Sequence, residues 1–367
     1  MGGDLGLGKV AWKGGIALSI LLMAVVLAGC GPPLADAGWG AVSADEASAY
    51  AGLTTGKVVA LNVESGLLRW EFPAGKERLA GLYGEPALAT ERVIFGATDP
   101  TGRQSKVYAL DAATGRQLWV FAEPGDTIVG SPTVDGAAVY VTSADRRVYA
   151  LDVQTGQVQW RFLADGPVWS GAVRNGDRLF VGSMGHSVYA LSAADGSQLW
   201  RFQTRGAVPG TPAVGGGLVY AGDLSGTLYA IDAQSGDEVW RFQAEGWIWG
   251  QPAAGGGQIY VPSLDGRVYQ LDATTGARGW TFEAGGAVRA GPTLANGILY
   301  LASEDQNLYA LDAATGNRLW TFDAEGAILS SPQVVGARLY LATSNGKVFA
   351  LDAATGNPRW EYPQPSK

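Results

Sequence analysis

Val107-Tyr-Ala-Leu-Asp111-Ala-Ala-Thr114-Gly115-Arg-Gln-Leu-Trp119-Val-Phe121 is the stretch that decides the fold, because the chain of 367 residues repeats it eight times. The tryptophans at the place of Trp119 are Trp70, Trp160, Trp200, Trp240, Trp280, Trp320 and Trp360. After a first interval of 49 residues, their spacings are 41, 40, 40, 40, 40 and 40. A fixed period of this length marks a radial array or a solenoid. Within one copy, short runs of alternating aromatic and β-branched residues stand between Gly, Asp and Asn turns. In the copy ending at Trp160 they span 131–134, 138–142, 148–152 and 158–162. Alternation at period 2 reads as strands, and no segment holds a helical period for twelve residues. Four antiparallel strands per ~40 residues is one blade of a β-propeller. The expected fold is therefore all-β, an eight-bladed β-propeller over residues 41–362, with a tail at 363–367.

Counting back from Trp70, residues 41–43 and 48–53 fall where the first two strands of blade 1 belong. Every blade is then complete in sequence. The ring is expected to close by packing of blade 1 on blade 8, without a strand exchanged between them.

The recurring residues have structural roles. Gly66, Gly115, Gly156, Gly196, Gly236, Gly276, Gly316 and Gly356 sit in the last hairpin of each blade, where a positive φ is expected. Four residues earlier stands Asp111, Asp152, Asp232, Asp272, Asp312 or Asp352, with Asn62 and Ser192 in the other two copies. An oxygen acceptor at this place suits an Asx-type turn, not a set of catalytic acids. The eight tryptophans are expected to dock between neighbouring blades.

The unit Ala-x-Asp-x-x-Thr-Gly-x-x-x-Trp, as in Ala109 to Trp119, resembles the tryptophan-docking motif of the quinoprotein (PQQ-type) eight-bladed propellers. Four copies match in full, and Ala60 to Trp70 and Ala190 to Trp200 are the loosest. Two branches of that superfamily bear on function. One is the quinoprotein alcohol dehydrogenases. The other is the BamB-like lipoproteins, whose resemblance implies an eight-bladed body with no cofactor. Their propeller supports the machine that inserts β-barrels into the outer membrane.

The N-terminus favours the second branch. Lys9 and Lys13 precede an apolar run, Ile16 to Ala28, of 13 residues. This is short of the ~20 residues of a membrane span and reads as a secretory signal, residues 1–29. Leu27-Ala28-Gly29-Cys30 resembles the bacterial lipobox, and Cys30 is the chain's single cysteine. The resemblance implies a diacylglyceryl thioether at Cys30, whose two acyl chains suffice for stable anchoring. Residues 30–40 then read as the lipidated cysteine and a tether reaching at most ~35 Å. The expected location is extracytoplasmic, on the outer membrane or the outer face of the plasma membrane.

Composition narrows the chemistry. The net charge is −8, with no polybasic stretch, so a nucleic-acid footprint is not expected. One cysteine and one histidine cannot build a usual zinc site. His186 lies in the turn Ser183-Met-Gly-His-Ser187 and reads as exposed. The quinoprotein dehydrogenases stack their quinone on a vicinal disulfide beside calcium, and a chain with one cysteine cannot form that disulfide. No catalytic, cofactor-binding or metal-binding residue is expected, and no enzyme activity. A quinone-dependent or other small-molecule propeller enzyme or sensor is the alternative.

Length differences point to one face. The links between blades and the turns joining second to third strands share a face. Four extra residues near Lys76–Ala80, five near Asp99–Gln104 and one within Glu123–Asp126 all fall there. The six regular links read Thr127-Ile-Val129, Pro167-Val-Trp169, Ala207-Val-Pro209, Trp247-Ile-Trp249, Ala287-Val-Arg289 and Ala327-Ile-Leu329. The invariant Val or Ile is expected to be core, and both its neighbours to face the mouth of the ring. Trp169, Trp247, Trp249 and Arg289 are thus candidates for a partner-binding patch or for a plug of the central channel. The expected function is a monomeric, lipid-anchored, non-catalytic scaffold for a protein or peptide, with a component of membrane β-barrel assembly as the partner that the resemblance implies.

Overall fold

The structure is a computed structural model and describes residues 38–99 and 104–364. Cys30, the expected signal segment and residues 365–367 lie outside the described residues.

Eight four-stranded antiparallel sheets follow one another, each made of four strands consecutive in sequence. Blade 1 comprises Ala41–Ala44, Ser48–Leu53, Lys57–Asn62 and Leu68–Phe72. Blade 3 comprises Thr133–Asp135, Ala138–Thr142, Arg147–Asp152 and Val158–Leu163. Its first strand is shorter than the alternation suggests, because Ser131 and Pro132 belong to the link.

Period 2 along each strand sends successive side chains to opposite faces, so each sheet feeds two seams. In blade 1, Tyr50, Val58 and Ala60 pack toward blade 2, while Ala49, Val59 and Leu61 pack toward blade 8. The buried apolar residues accordingly fall into eight clusters, one per seam.

The docking tryptophans sit in these seams. Each lies over the hairpin glycine of the next blade, Trp70 on Gly115 and so on to Trp320 on Gly356. All eight glycines have positive φ, between 67° and 81°. They meet a second demand that φ alone does not explain. A Cβ at Gly115 would stand 2.7 Å from the Trp70 ring, and one at Gly356 2.6 Å from Trp320. In seven seams the indole Nε1–H also donates to a backbone carbonyl of the next blade, as Trp70 to Ala112 at 2.9 Å. Trp320 is the exception, its Nε1 having no partner among the described residues.

The ring closes in the same way as every other seam. Trp360 lies over Gly66, and its Nε1 donates to the Val63 carbonyl at 2.8 Å. Among the described residues no strand passes between blades 1 and 8.

The turn acids act as acceptors. Asp152 Oδ1 takes the N–H groups of Gln154 and Thr155 and the Thr155 hydroxyl, at 3.0, 2.8 and 2.9 Å. Asn62 does the same in blade 1. Blade 4 differs, since Asp195 stands in the threonine's place there and accepts from Ser197 N–H, as Thr155 Oγ1 accepts from Gln157 N–H in blade 3.

The tether reading of residues 38–40 needs correction. Gly38 bridges Leu82 in parallel, and Trp39 N–H donates to the Leu82 carbonyl at 3.1 Å. These residues belong to the propeller body, and the first link-equivalent of the ring begins there.

Candidate functional site

The links converge on the ring axis. Their central apolar residues are buried as the pattern requires, Ile128, Val168, Val208, Ile248, Val288 and Ile328 being at most 2% exposed. Links and second-to-third-strand turns share a face, since the first link residue accepts a hydrogen bond from that turn. Ala144 N–H donates to Thr127 at 2.8 Å, and Leu264 N–H to Trp247 at 2.9 Å. The inserted link after blade 1 lies on this face too. Leu79 N–H donates to Gly56, and the Lys57 ammonium holds the Gly75 carbonyl at 2.9 Å.

The residue after each buried Val or Ile forms the rim of a central cavity. Around the ring the rim reads Trp39, Tyr83, Val129, Trp169, Pro209, Trp249, Arg289 and Leu329, and the cavity behind it holds about 730 Å³. The indole of Trp249 is the hub. It meets Trp169 at 6.0 Å between centroids and Trp39 at 6.5 Å, and Trp39 in turn meets Tyr83 edge-on at 5.2 Å. Blades 1, 2, 4 and 6 are thus joined across the mouth by aromatic contacts. Arg289 Cζ lies 4.9 Å above the Trp249 ring, and its Nε donates to Glu304 at 2.7 Å. Such a guanidinium–indole contact is attractive by the ring quadrupole.

The structure therefore brings Trp169, Trp249 and Arg289 together and sets Trp247 apart. Trp247 is 42% exposed and is not part of the cavity wall. The two flanking residues would share a direction on a regular strand. The link is not one, because the Trp247 carbonyl is committed to the Leu264 turn and the chain bends there. Trp39 and Tyr83 were missed by aligning only the six regular links. Counting back from Pro86 and from Val42, which stand where Pro132 does, places both on the rim.

One step deeper along the inner strands, the wall carries Glu85, Ser131, Thr211, Gln251 and Ser331, with Gly171 and Gly291 between them. Glu85 Oε2 accepts from Gln333 Nε2 at 3.0 Å, and its own N–H donates to Ser131 Oγ at 2.9 Å. Its side chain faces the cavity and is half-buried, with protein packed densely around it. Desolvation raises its pKa to about 7, opposed only by bonds from Gln333 and the Ser331 backbone.

His186 is exposed in its turn with positive φ, a place held by glycine in several other blades. Among the described residues no three His, Cys, Asp or Glu side chains converge as a metal-binding set. The cavity wall offers one carboxylate, and the chain's single cysteine cannot make a vicinal disulfide. These residues do not fit a calcium–quinone pair.

Four-stranded blades, tryptophan docking at every seam and an aromatic rim over a central cavity define a PQQ-like eight-bladed propeller. The family model described as outer membrane protein assembly factor BamB matches residues 55–171, 163–248 and 224–367, and the chain belongs to that family. Among solved structures, the crystal structure of BamB from Moraxella catarrhalis is similar at 19% identity and a TM-score of 0.71, covering 84% of this chain and 95% of that one. The computationally designed Ika8 protein is similar at 16% identity and a TM-score of 0.74, covering 84% and 94%. At these identities the likeness is one of fold, and its extension to a designed protein underlines that the fold by itself carries no function. No curated protein matches the sequence.

Proposed function

We propose that the protein is an extracytoplasmic scaffold, anchored by lipid at Cys30, that holds a protein or peptide partner on the link face of its propeller, in the manner of an outer-membrane protein assembly factor. The reading rests on membership of the BamB family and on one structural observation. Trp247 stands 42% exposed on the same face as the aromatic rim and the inserted link. A tryptophan this exposed is only partly packed against the body, and tryptophan and arginine are the side chains most enriched at binding hot spots. The partner class follows from the family description, a component of outer-membrane β-barrel assembly.

The test separates the two groups of residues that the structure divides. Trp247→Ala is expected to keep the melting temperature of the parent and to lose partner capture in pull-downs from membranes. Trp169→Ala/Trp249→Ala is expected to lower the melting temperature, because it removes the hub of the rim. Unchanged capture by both variants would sink the proposal.

A further inference from the structure

Among the described residues, the cavity wall carries one carboxylate, Glu85, and one cation, Arg289. Arg289 is already engaged at the rim by Glu304 and by the face of Trp249. Glu85 lies two residues deeper than Tyr83, and its carboxylate is bonded by Gln333 Nε2 and the Ser331 backbone, both neutral. A half-buried carboxylate with only neutral partners is unfavourable, and a cationic ligand would relieve it. Above it the indoles of Trp39 and Trp169 meet that of Trp249 on the rim through edge and tilted contacts. Indole faces attract cations and pack against alkyl chains. The volume of about 730 Å³ falls in the range of small-molecule sites, roughly 300–1,000 Å³.

From this juxtaposition we infer that the central cavity is a binding site for an alkylammonium group, its nitrogen paired with Glu85 and its carbon chain against the rim indoles. The source is either a free amine or a lysine side chain offered by a polypeptide. The inference stands whether or not Trp247 binds a partner.

The experiment titrates the full-length chain with n-butylammonium chloride by calorimetry and tryptophan fluorescence, at constant ionic strength. Butan-1-ol and butyrate serve as neutral and anionic controls of the same length. Saturable binding of butylammonium alone is expected, weakened at least about tenfold by Glu85→Gln, the loss of one charge-assisted bond. Among the described residues the cavity wall's other ionisable side chains are Tyr83 and Arg289. At pH 7 binding should release a fraction of a proton from Glu85, read as a dependence of the measured heat on buffer ionisation enthalpy. A lysine-containing tripeptide runs beside butylammonium. Tighter peptide binding assigns the site to a polypeptide lysine, and tighter butylammonium binding assigns it to free amines. Equal binding of butan-1-ol, an unaffected Glu85→Gln variant, or no proton release would each overturn the inference.

Discussion

Gln270 and Gly279 account for each other. In seven blades the residue opposite the docking tryptophan is alanine, as in Ala230↔Trp240, and blade 6 has Gln270 there instead. Its Oε1 accepts from Trp280 N–H at 3.2 Å, and its Nε2 donates to Gln258. A Cβ at residue 279 would collide with that Oε1. Glycine therefore replaces the leucine found at this place in blades 2, 4 and 7, as Leu118, Leu199 and Leu319.

Gly279→Leu should accordingly destabilise the protein by about 1–3 kcal/mol through overpacking. Adding Gln270→Ala should recover most of that loss, since the clash disappears. A double-mutant cycle from urea unfolding measures the coupling. Additive effects would mean that the two residues do not interact.

The closing seam should be as strong as the others. Trp360 is 8% exposed, and its truncation to alanine should cost about 3–5 kcal/mol. Gly66→Ala should also destabilise, because residue 66 has φ 67° and its Cβ would stand 2.7 Å from the Trp360 ring. Thermal unfolding of the two variants, set beside Trp70→Ala, compares this seam with an internal one. A negligible effect of Trp360→Ala would show that the ring is closed by something else.

Glu85 should make stability depend on pH in a definite sense. Its folded pKa is raised from 4.5 to about 7, so the folded state holds the proton more tightly than the unfolded chain. Its contribution to stability is present below the unfolded pKa, falls as pH rises through the interval up to about 7, and is constant above it. Glu85→Gln should thus raise the melting temperature at pH 8 and leave it unchanged relative to the parent at pH 4. The gain at pH 8 is on the order of 1–3 kcal/mol. An equal effect at both pH values would refute the enclosure of this carboxyl.

Cys30 carries the anchoring proposal. Cys30→Ser should shift the protein from membranes to the soluble fraction or leave it uncleaved. Intact mass of the parent should include the acyl chains. Membrane retention of a cleaved mutant, with no lipid mass on the parent, would contradict it.

The fold was legible because its determinants recur in each blade. The docking tryptophan, the hairpin glycine and the turn acid repeat at one period, and packing at each seam uses all three. The rim was half legible. Trp169, Trp249 and Arg289 stand in regular links, whereas Tyr83 follows the inserted link and Trp39 precedes the first complete unit. The second job of the hairpin glycines, leaving room for an indole from the preceding blade, needed three dimensions. So did the isolation of Glu85. A single acid in a link is unremarkable in sequence, and its enclosure is set by residues of other blades, among them Ser331 and Gln333.

Because blade 8 meets blade 1 through a tryptophan on a glycine, as every other pair of neighbours meets, the seam holding the chain ends has no privileged status in the architecture. Each sheet is encoded without interruption, and the outermost strand of one blade leads by a short link to the innermost strand of the next. The order of blades along the gene is then separable from their order around the circle. A circular permutant cut at any regular link, with Tyr362 joined to Gly38 through a short linker so that Trp39 keeps its place on the rim, would encode the same ring with its ends at a different blade.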